Sequence, residues 1–324
     1  MDDSSVKGKA NMGKKVVVLG SFVVDLTSQS QGLPLPGQTI LGSRFVMGPG
    51  GKGSNQAVAA HRAGADVMFV TKIGRDVFGR VATDFYTREN MDTSYVFEDE
   101  KLETGCALIM VDEASAQNAI VVISGACGNI TDADIEKTRP LLENAGILLL
   151  QLETNFDALL KAVDIAHAAG VKVILNPAPA RELTDELYSK LDMVTPNETE
   201  AELLTGVHIE NMSDAQRAAD VLLKKGVKEV VITMGNQGAF ATDGKRSEQY
   251  PRIQVEAIDT TGAGDAFNGG LVMALAEGKD LFEAMRYANV TGALSVTNAG
   301  TAPSMPRRSE IEALLKKTYG SHTS

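Results

Sequence analysis

Between positions 259 and 265 the chain reads Asp259-Thr260-Thr261-Gly262-Ala263-Gly264-Asp265, and the run that follows, Ala266-Phe267-Asn268-Gly269-Gly270-Leu271-Val272, is compatible with a helix. Glycines at a helix entrance leave backbone N–H groups unobstructed, and those groups together with the helix dipole hold an anion such as a phosphate. Asp265 would lie in the first turn, where a carboxylate can accept the proton of a hydroxyl as that hydroxyl attacks a phosphoryl group. The same residue types also suit a glycine-rich turn in which Asp265 is only a charge partner for the helix N-terminus. Residue types alone leave both readings open.

A second glycine-rich stretch, Gly50-Gly51-Lys52-Gly53-Ser54-Asn55-Gln56-Ala57, taken by itself fits a tight turn before a helix. Asn197 and Glu200 stand three apart at a predicted helix start, so both side chains can face one site and help hold hydrated magnesium, or they can simply cap the helix. Asp25 follows a predicted strand and Glu153 lies on a loop, positions that also suit a turn cap and a surface carboxylate. The chain contains no G-x-x-x-x-G-K-[ST] segment and no protein-kinase catalytic loop, so a nucleotide's phosphates would need a different clamp. Four histidines, His61, His167, His208 and His322, show no metal-ligand spacing. The twelve methionines are scattered as adaptable core filling.

The elements that must position these residues alternate. Short β-branched runs at 15–19, 67–71, 147–151, 171–175, 193–195 and 230–233 read as strands. Amphipathic stretches at 53–63, 77–90, 132–142, 156–169, 198–205, 213–225 and 263–277 read as helices. That order predicts an α/β fold, a Rossmann-like, mostly parallel central sheet flanked by helices. Segments 25–47 and 104–124 break the rhythm; their apolar–polar alternation predicts antiparallel strands of a small accessory sheet, a lid over the C-terminal edge of the main sheet. The expected organisation is one domain over 14–320, preceded by a disordered tail at 1–13.

Composition excludes several classes. The chain of 324 residues is 44% hydrophobic, enough to bury a substantial core. Its 31 basic and 42 acidic residues give a formal charge of -11, which argues against a nucleic-acid partner held by phosphate neutralisation. Apolar runs such as 147–150 and 171–175 are far below the roughly 20 residues of a bilayer span, so no membrane partner is expected. The polar leader lacks the apolar stretch of a secretory signal. Two cysteines, Cys106 and Cys127, fit a reducing cytoplasm better than a disulfide scaffold.

The 259–265 segment resembles the C-terminal signature of the ribokinase-like carbohydrate kinases, and the 50–57 segment is similar to the N-terminal sugar-site motif of that family. Pro49 and Ser54 depart from it, standing where an apolar residue and alanine are common. Further matches run in the family's order: Gly20-Ser21 with Asp25, Gln151-Leu152-Glu153, Asn176-Pro177-Ala178-Pro179, Asn197-Glu198-Thr199-Glu200, and Thr233-Met234-Gly235 with Gly238. The resemblance spans about residues 15–317.

It implies an ATP- and magnesium-dependent sugar phosphotransferase. By resemblance, Gly262, Ala263 and Gly264 supply an anion hole and Asp265 the general base. Asp25, Gly51, Lys52, Asn55, Glu153 and Asp265 hold the sugar. Asn197, Thr233, Gly235, Gly238 and Gly264 line the nucleotide site, Asn289 approaches adenine, and Glu200 meets magnesium through water. The family also implies potassium activation, with Asp259, Thr261, Ser295, Asn298, Gly300 and Ser304 at the cation positions, and a homodimer formed through the lid strands.

The expected substrate is D-ribose, phosphorylated on its 5-hydroxyl. Its rival is 2-deoxy-D-ribose, because Val23 stands where close members often carry an asparagine, and a site without that amide discriminates less against a deoxysugar. Fructose, a nucleoside, or a non-catalytic sugar-binding regulator on the same fold complete the alternatives.

Overall fold

A computed structural model describes residues 13–115 and 117–320. The tail expected over 1–13 therefore lies outside the described residues except for Gly13. Strand β1 (Val16–Leu19) is followed by a hairpin, β2 (Val23–Ser30) and β3 (Gly42–Gly50), and by α1 (Lys52–Arg62). Then come β4 (Val67–Gly74), α2 (Val77–Arg88), β5 (Val96–Asp99) and a second hairpin, β6 (Thr104–Asp112) and β7 (Asn118–Gly125). The chain continues through α3 (Asp132–Glu143), β8 (Ile147–Leu150), α4 (Phe156–Ala168), β9 (Lys172–Leu175), α5 (Asp185–Lys190), β10 (Met193–Val194), α6 (Glu198–Thr205), α7 (Met212–Lys224) and β11 (Glu229–Thr233). A third hairpin, β12 (Ala239–Thr242) and β13 (Ser247–Tyr250), precedes α8 (Ala263–Ala276), α9 (Leu281–Ser295) and α10 (Arg308–Tyr319).

Nine strands form the large sheet in the order β13-β12-β11-β10-β9-β8-β1-β4-β5. Its pairings are parallel from β5 to β11, and the β12–β13 hairpin adds an antiparallel edge. The central strands are apolar on both faces, as a sheet covered by helices on both sides requires. Successive side chains divide between two cores. Val16 and Val18 of β1 and Ile147 and Leu149 of β8 pack with α1, α8 and α9. Val17, Leu19, Leu148 and Leu150 pack with α3, α4, α6 and α7.

Helix α8 is sandwiched between α1 and α9. At Gly269 a Cβ would lie 2.3 Å from Ala59 Cβ of α1, and at Gly270 it would lie 2.3 Å from Thr291 Oγ1 of α9. The two glycines let α8 sink between its neighbours, so nearly all of it is buried and its N-terminus is rigidly placed.

Strands β2, β3, β6 and β7 form a separate sheet in the order β3-β2-β6-β7. The two hairpins are antiparallel as expected, but β2 and β6 that join them are parallel. This corrects the expectation of a wholly antiparallel accessory sheet. Alternation along each strand reports one buried face and is silent on the direction of a neighbour from a distant hairpin. One face of this sheet leaves Phe45, Met47, Val121 and Ile123 exposed. No helix among the described residues is long and apolar enough to cross a membrane.

Candidate active site

The N-termini of α1, α6 and α8 meet where β8 to β11 end. A cleft of about 190 Å³ there is lined by Lys52, Asp265 and residues 262–264, together with Asn176, Thr195, Asn197, Glu200, Thr233 and Asn268. The two glycine-rich stretches, separated by some two hundred residues, therefore border one cavity.

At the entrance to α8, Gly262 adopts a left-handed φ of 77° and no side chain caps the terminus. The N–H groups of Gly264 and Asp265 have no partner among the described residues, leaving donors and the positive helix end for an anion. Gly264 is informative because its φ is ordinary and a Cβ there would meet nothing within 4 Å. The fold gives no reason for glycine at that position; the open space beside it does.

Asp265 is only 7% exposed. Asn55 Nδ2 donates to its Oδ2 at 2.9 Å, and Gln56 Nε2 donates to its Oδ1 at 2.9 Å. Burial raises its carboxyl above the ordinary range against the opposing pull of Lys52, Gln56 and Asn55, with Glu153 adding to the rise. For Lys52, burial works to lower the ammonium, and the surrounding carboxylates of Asp265, Glu153, Glu200 and Asp25 outweigh it, holding it above its usual value. One lysine thus serves several acids.

Glu153 Oε2 accepts a short hydrogen bond from Ser21 Oγ and a 2.9 Å bond from the backbone N–H of Lys52. Asp25, on β2 of the small sheet, is pushed up to about 6 by burial; Thr301 and Lys52 work against that rise, and Glu153 and Asp265 reinforce it. Thr301 Oγ1 donates to Asp25 Oδ2 at 2.9 Å. Asp25, Lys52, Glu153 and Asp265 are therefore one electrostatic cluster, with Asn55 bonded into it.

Asn197 and Glu200 form a reciprocal capping box at α6: Glu200 N donates to Asn197 Oδ1 at 2.8 Å, and Asn197 N donates to Glu200 Oε2 at 2.9 Å. Both also line the cleft, so capping the helix does not withdraw them from it. Burial raises the Glu200 carboxyl, while the Asn197 N–H and Lys52 oppose it. Thr233 bridges to Asn197 at the end of β11, and Gly235 and Gly238 bound the short turn that follows. Asn289 is placed differently. It is buried on α9, its Nδ2 donates to Pro251 O at 2.9 Å and Tyr319 Oη at 3.1 Å, and it is not itself among the residues that line the cleft.

Within the six cation positions, Asp259 joins two loops, its Oδ1 accepting from Thr261 N and its Oδ2 from Gly300 N, each at 2.9 Å. Ser295 and Ser304 donate their hydroxyls to Gly292 O and Thr301 O, which leaves oxygen lone pairs rather than protons to offer. Asn298 is exposed. Val23 is buried against Ala107 of β6 and Cys127 in the turn after β7.

Sequence reasoning missed Thr301 and gave Gln56 no role of its own. Thr301 carries no local signal, since its partner lies at the other end of the chain. Gln56 stands inside a glycine-rich motif and next to Asn55, and a buried amide on a helix face near an acid is the signal that marks it.

The chain belongs to the pfkB family of carbohydrate kinases: the model described as "pfkB family carbohydrate kinase" matches residues 13–308. It has the class of a sugar kinase, a phosphotransferase. It is 42% identical over 305 residues to the ribokinase of Haemophilus influenzae, covering 94% of this chain and 99% of that one. It is 36% identical over 301 residues to the deoxyribokinase of Salmonella typhi, covering 93% and 98%. The fold superposes on Arabidopsis thaliana ribokinase complexed with ribose and ATP with a TM-score of 0.86 at 32% identity, covering 94% of this chain and 99% of that one.

Proposed function

We propose that the protein transfers the γ-phosphoryl group of ATP to the 5-hydroxyl of D-ribose, giving ribose 5-phosphate and ADP. The observation that carries this reading is the meeting of Asp265 with the uncapped 262–264 turn in a cleft bordered by Lys52 on one glycine motif and Asn197 and Thr233 on the nucleotide side. The ribokinase relatives support ribose as the sugar.

Asp25, Gly51, Lys52, Asn55 and Glu153 hold the sugar's hydroxyls. Asp265 accepts the proton of the attacking hydroxyl, and the open turn at Gly262, Ala263 and Gly264, whose Ala263 N–H is held by Thr260 O while those of Gly264 and Asp265 stay free among the described residues, receives the negative charge of the transferred phosphoryl group. Asn197, Thr233, Gly235, Gly238 and Gly264 line the nucleotide site, and Asn289 approaches adenine. Asn197 and Glu200 would hold hydrated magnesium, which supplies charge neutralisation at the ATP phosphates. Asp259, Thr261, Ser295, Asn298, Gly300 and Ser304 would hold potassium, whose charge favours oriented amide dipoles at the neighbouring turn.

Residues 14–320 work as one domain in which the small sheet, from segments 25–47 and 104–124, is a lid that excludes water during transfer. Its exposed apolar face pairs two copies into a homodimer. The free thiols of Cys106 and Cys127 suit the cytoplasm.

A second reading, 2-deoxy-D-ribose, rests on Val23, which brings no amide to the start of β2. Magnesium-dependent ADP release with D-ribose, 2-deoxy-D-ribose, fructose and adenosine, with and without potassium, tests both. A ribose preference supports the first reading, a deoxyribose preference the second, and silence with all four at millimolar concentration sinks both and revives a different sugar or a non-catalytic role.

A further inference from the structure

Gln56 is 0% exposed, and both of its amide protons and its amide oxygen are taken by protein groups, so it has no donor left for substrate. Its hydrogen-bonding capacity is nonetheless directed at the site. Oε1 accepts from Gln151 Nε2 at 2.7 Å, and the two Nε2 protons go to Asn176 Oδ1 and Asp265 Oδ1, each at 2.9 Å.

The orientation of this amide is fixed from both sides. Asn176 Nδ2 donates to the carbonyl of Thr195 at 2.9 Å, and a carbonyl can only accept. Asn176 must therefore turn Oδ1 toward Gln56, and Gln56 must turn its amino end toward Asn176 and Asp265. Gln151 braces the other end, and Gly20, where a Cβ would fall 2.1 Å from Gln151 Oε1, makes room for it. One donor path runs from Gln151 through Gln56 to Asp265, and a second branches from Gln56 through Asn176 to the Thr195 carbonyl. With Asn55 donating to Oδ2, both carboxylate oxygens are acceptors, and rotation of the group would break both bonds.

We propose that Gln56 is a positioning residue for Asp265: its braced amide holds the carboxylate ionised and in one rotamer, with a lone pair left for the substrate hydroxyl. The proposal rests on the reading of Asp265 as the base. The charged groups around Asp265 are Lys52, which favours ionisation, and Glu153, which opposes it, with Asp25 and Glu200 in the same cluster. None of these is altered by the substitutions below.

The test is the pH dependence of kcat at saturating sugar and MgATP for Gln56→Met, Gln56→Glu and Asp265→Asn. Gln56→Met keeps the shape but removes the donor. Its kcat is expected to fall about tenfold with the sugar KM within about threefold of the parent, because orientation and not binding is lost. The acidic limb of its kcat profile moves up by about one pH unit, the size expected for one lost hydrogen bond to a charged acceptor. Gln56→Glu keeps the acceptor for Gln151 and places a second carboxyl beside Asp265, so its limb moves further. If Gln56→Met does not fold, Gln151→Met, which removes only the brace, carries the same signature at smaller size. An unmoved limb in the folded variants, or a loss confined to KM, overturns the proposal. Near-parent turnover of Asp265→Asn overturns instead the base reading on which it stands.

Discussion

Thr301 Oγ1 donates to Asp25 Oδ2 at 2.9 Å, joining residues 276 positions apart. The preceding residue, Gly300, donates its N–H to Asp259 Oδ2 at 2.9 Å. One loop after α9 thus grips both the acid on the small sheet and the segment that leads into α8. Replacing Thr301 with valine keeps the volume and removes the donor. The expected result is a sugar KM higher by about fivefold with a smaller change in kcat, consistent with losing a hydrogen bond to a charged group. Steady-state kinetics with the preferred sugar check this; an unchanged KM would show that Asp25 needs no such support.

Asp25 also predicts a conflict between stability and binding. Its folded pKa of about 6 exceeds the unfolded value of 3.8, so its contribution favours folding below 3.8 and is lost as pH rises through about 6. At pH 7.5 the buried charge is a cost. Asp25→Asn should therefore be more stable than the parent at pH 7.5 by about 2 kcal/mol, and equal to it near pH 3.8, in urea titrations. The same substitution should weaken sugar binding at neutral pH, and the parent's sugar KM should fall as pH rises through about 6.

Gly264→Ala is expected to fold normally, since the added methyl meets no protein atom. It should lower phosphoryl transfer by about a hundredfold, the scale of losing an aligned donor at a developing charge. Circular dichroism and ADP release on the same sample separate the two effects. Full activity would mean that the space beside Gly264 takes no ligand.

Val23→Asn restores an amide at the start of β2. The ratio of kcat/KM for D-ribose over 2-deoxy-D-ribose is expected to rise by about tenfold, the value of one hydroxyl contact in a site built for it. A ratio that stays fixed would assign Val23 to packing against Ala107 and Cys127 alone.

Val121 is 57% exposed on β7 at one edge of the small sheet, and Phe45, on the same face, is 66% exposed on β3 at the other edge. Val121→Lys places a charge on that apolar face, and sedimentation should show a dimeric parent and a monomeric variant. A parent that sediments as a monomer removes this face as the pairing surface.

The βα rhythm was legible because the central strands are apolar on both faces and the helices keep a 3.6-residue period. The ends of the six predicted strands and seven predicted helices fell within a few residues of expectation, whereas β5 and α5 were not read. The C-terminal helices α9 and α10 and the β12–β13 hairpin were not read, since α9 is alanine-rich and short strands such as Ser247–Tyr250 carry little apolar pattern. Motif chemistry singled out Lys52, Asn197, Glu200, Thr233 and Asp265, and the fold gathers all five around one cleft. What could not be read was connection through space. The link from Asp25 to Thr301, the braces on Gln56 and the parallel joining of β2 to β6 all depend on packing between segments far apart in the chain.

Residues 20–22 alone separate β1 of the large sheet from β2 of the small one, so Asp25 and Asp265 belong to different halves of the architecture. A ligand touching both would act as a crosspiece between them. That arrangement lets inheritance treat the halves unequally. If the sugar spans both as proposed, changes in the small sheet would alter which hydroxyl pattern is welcomed, while α8, wedged between two neighbouring helices at Gly269 and Gly270, leaves little room for a larger side chain.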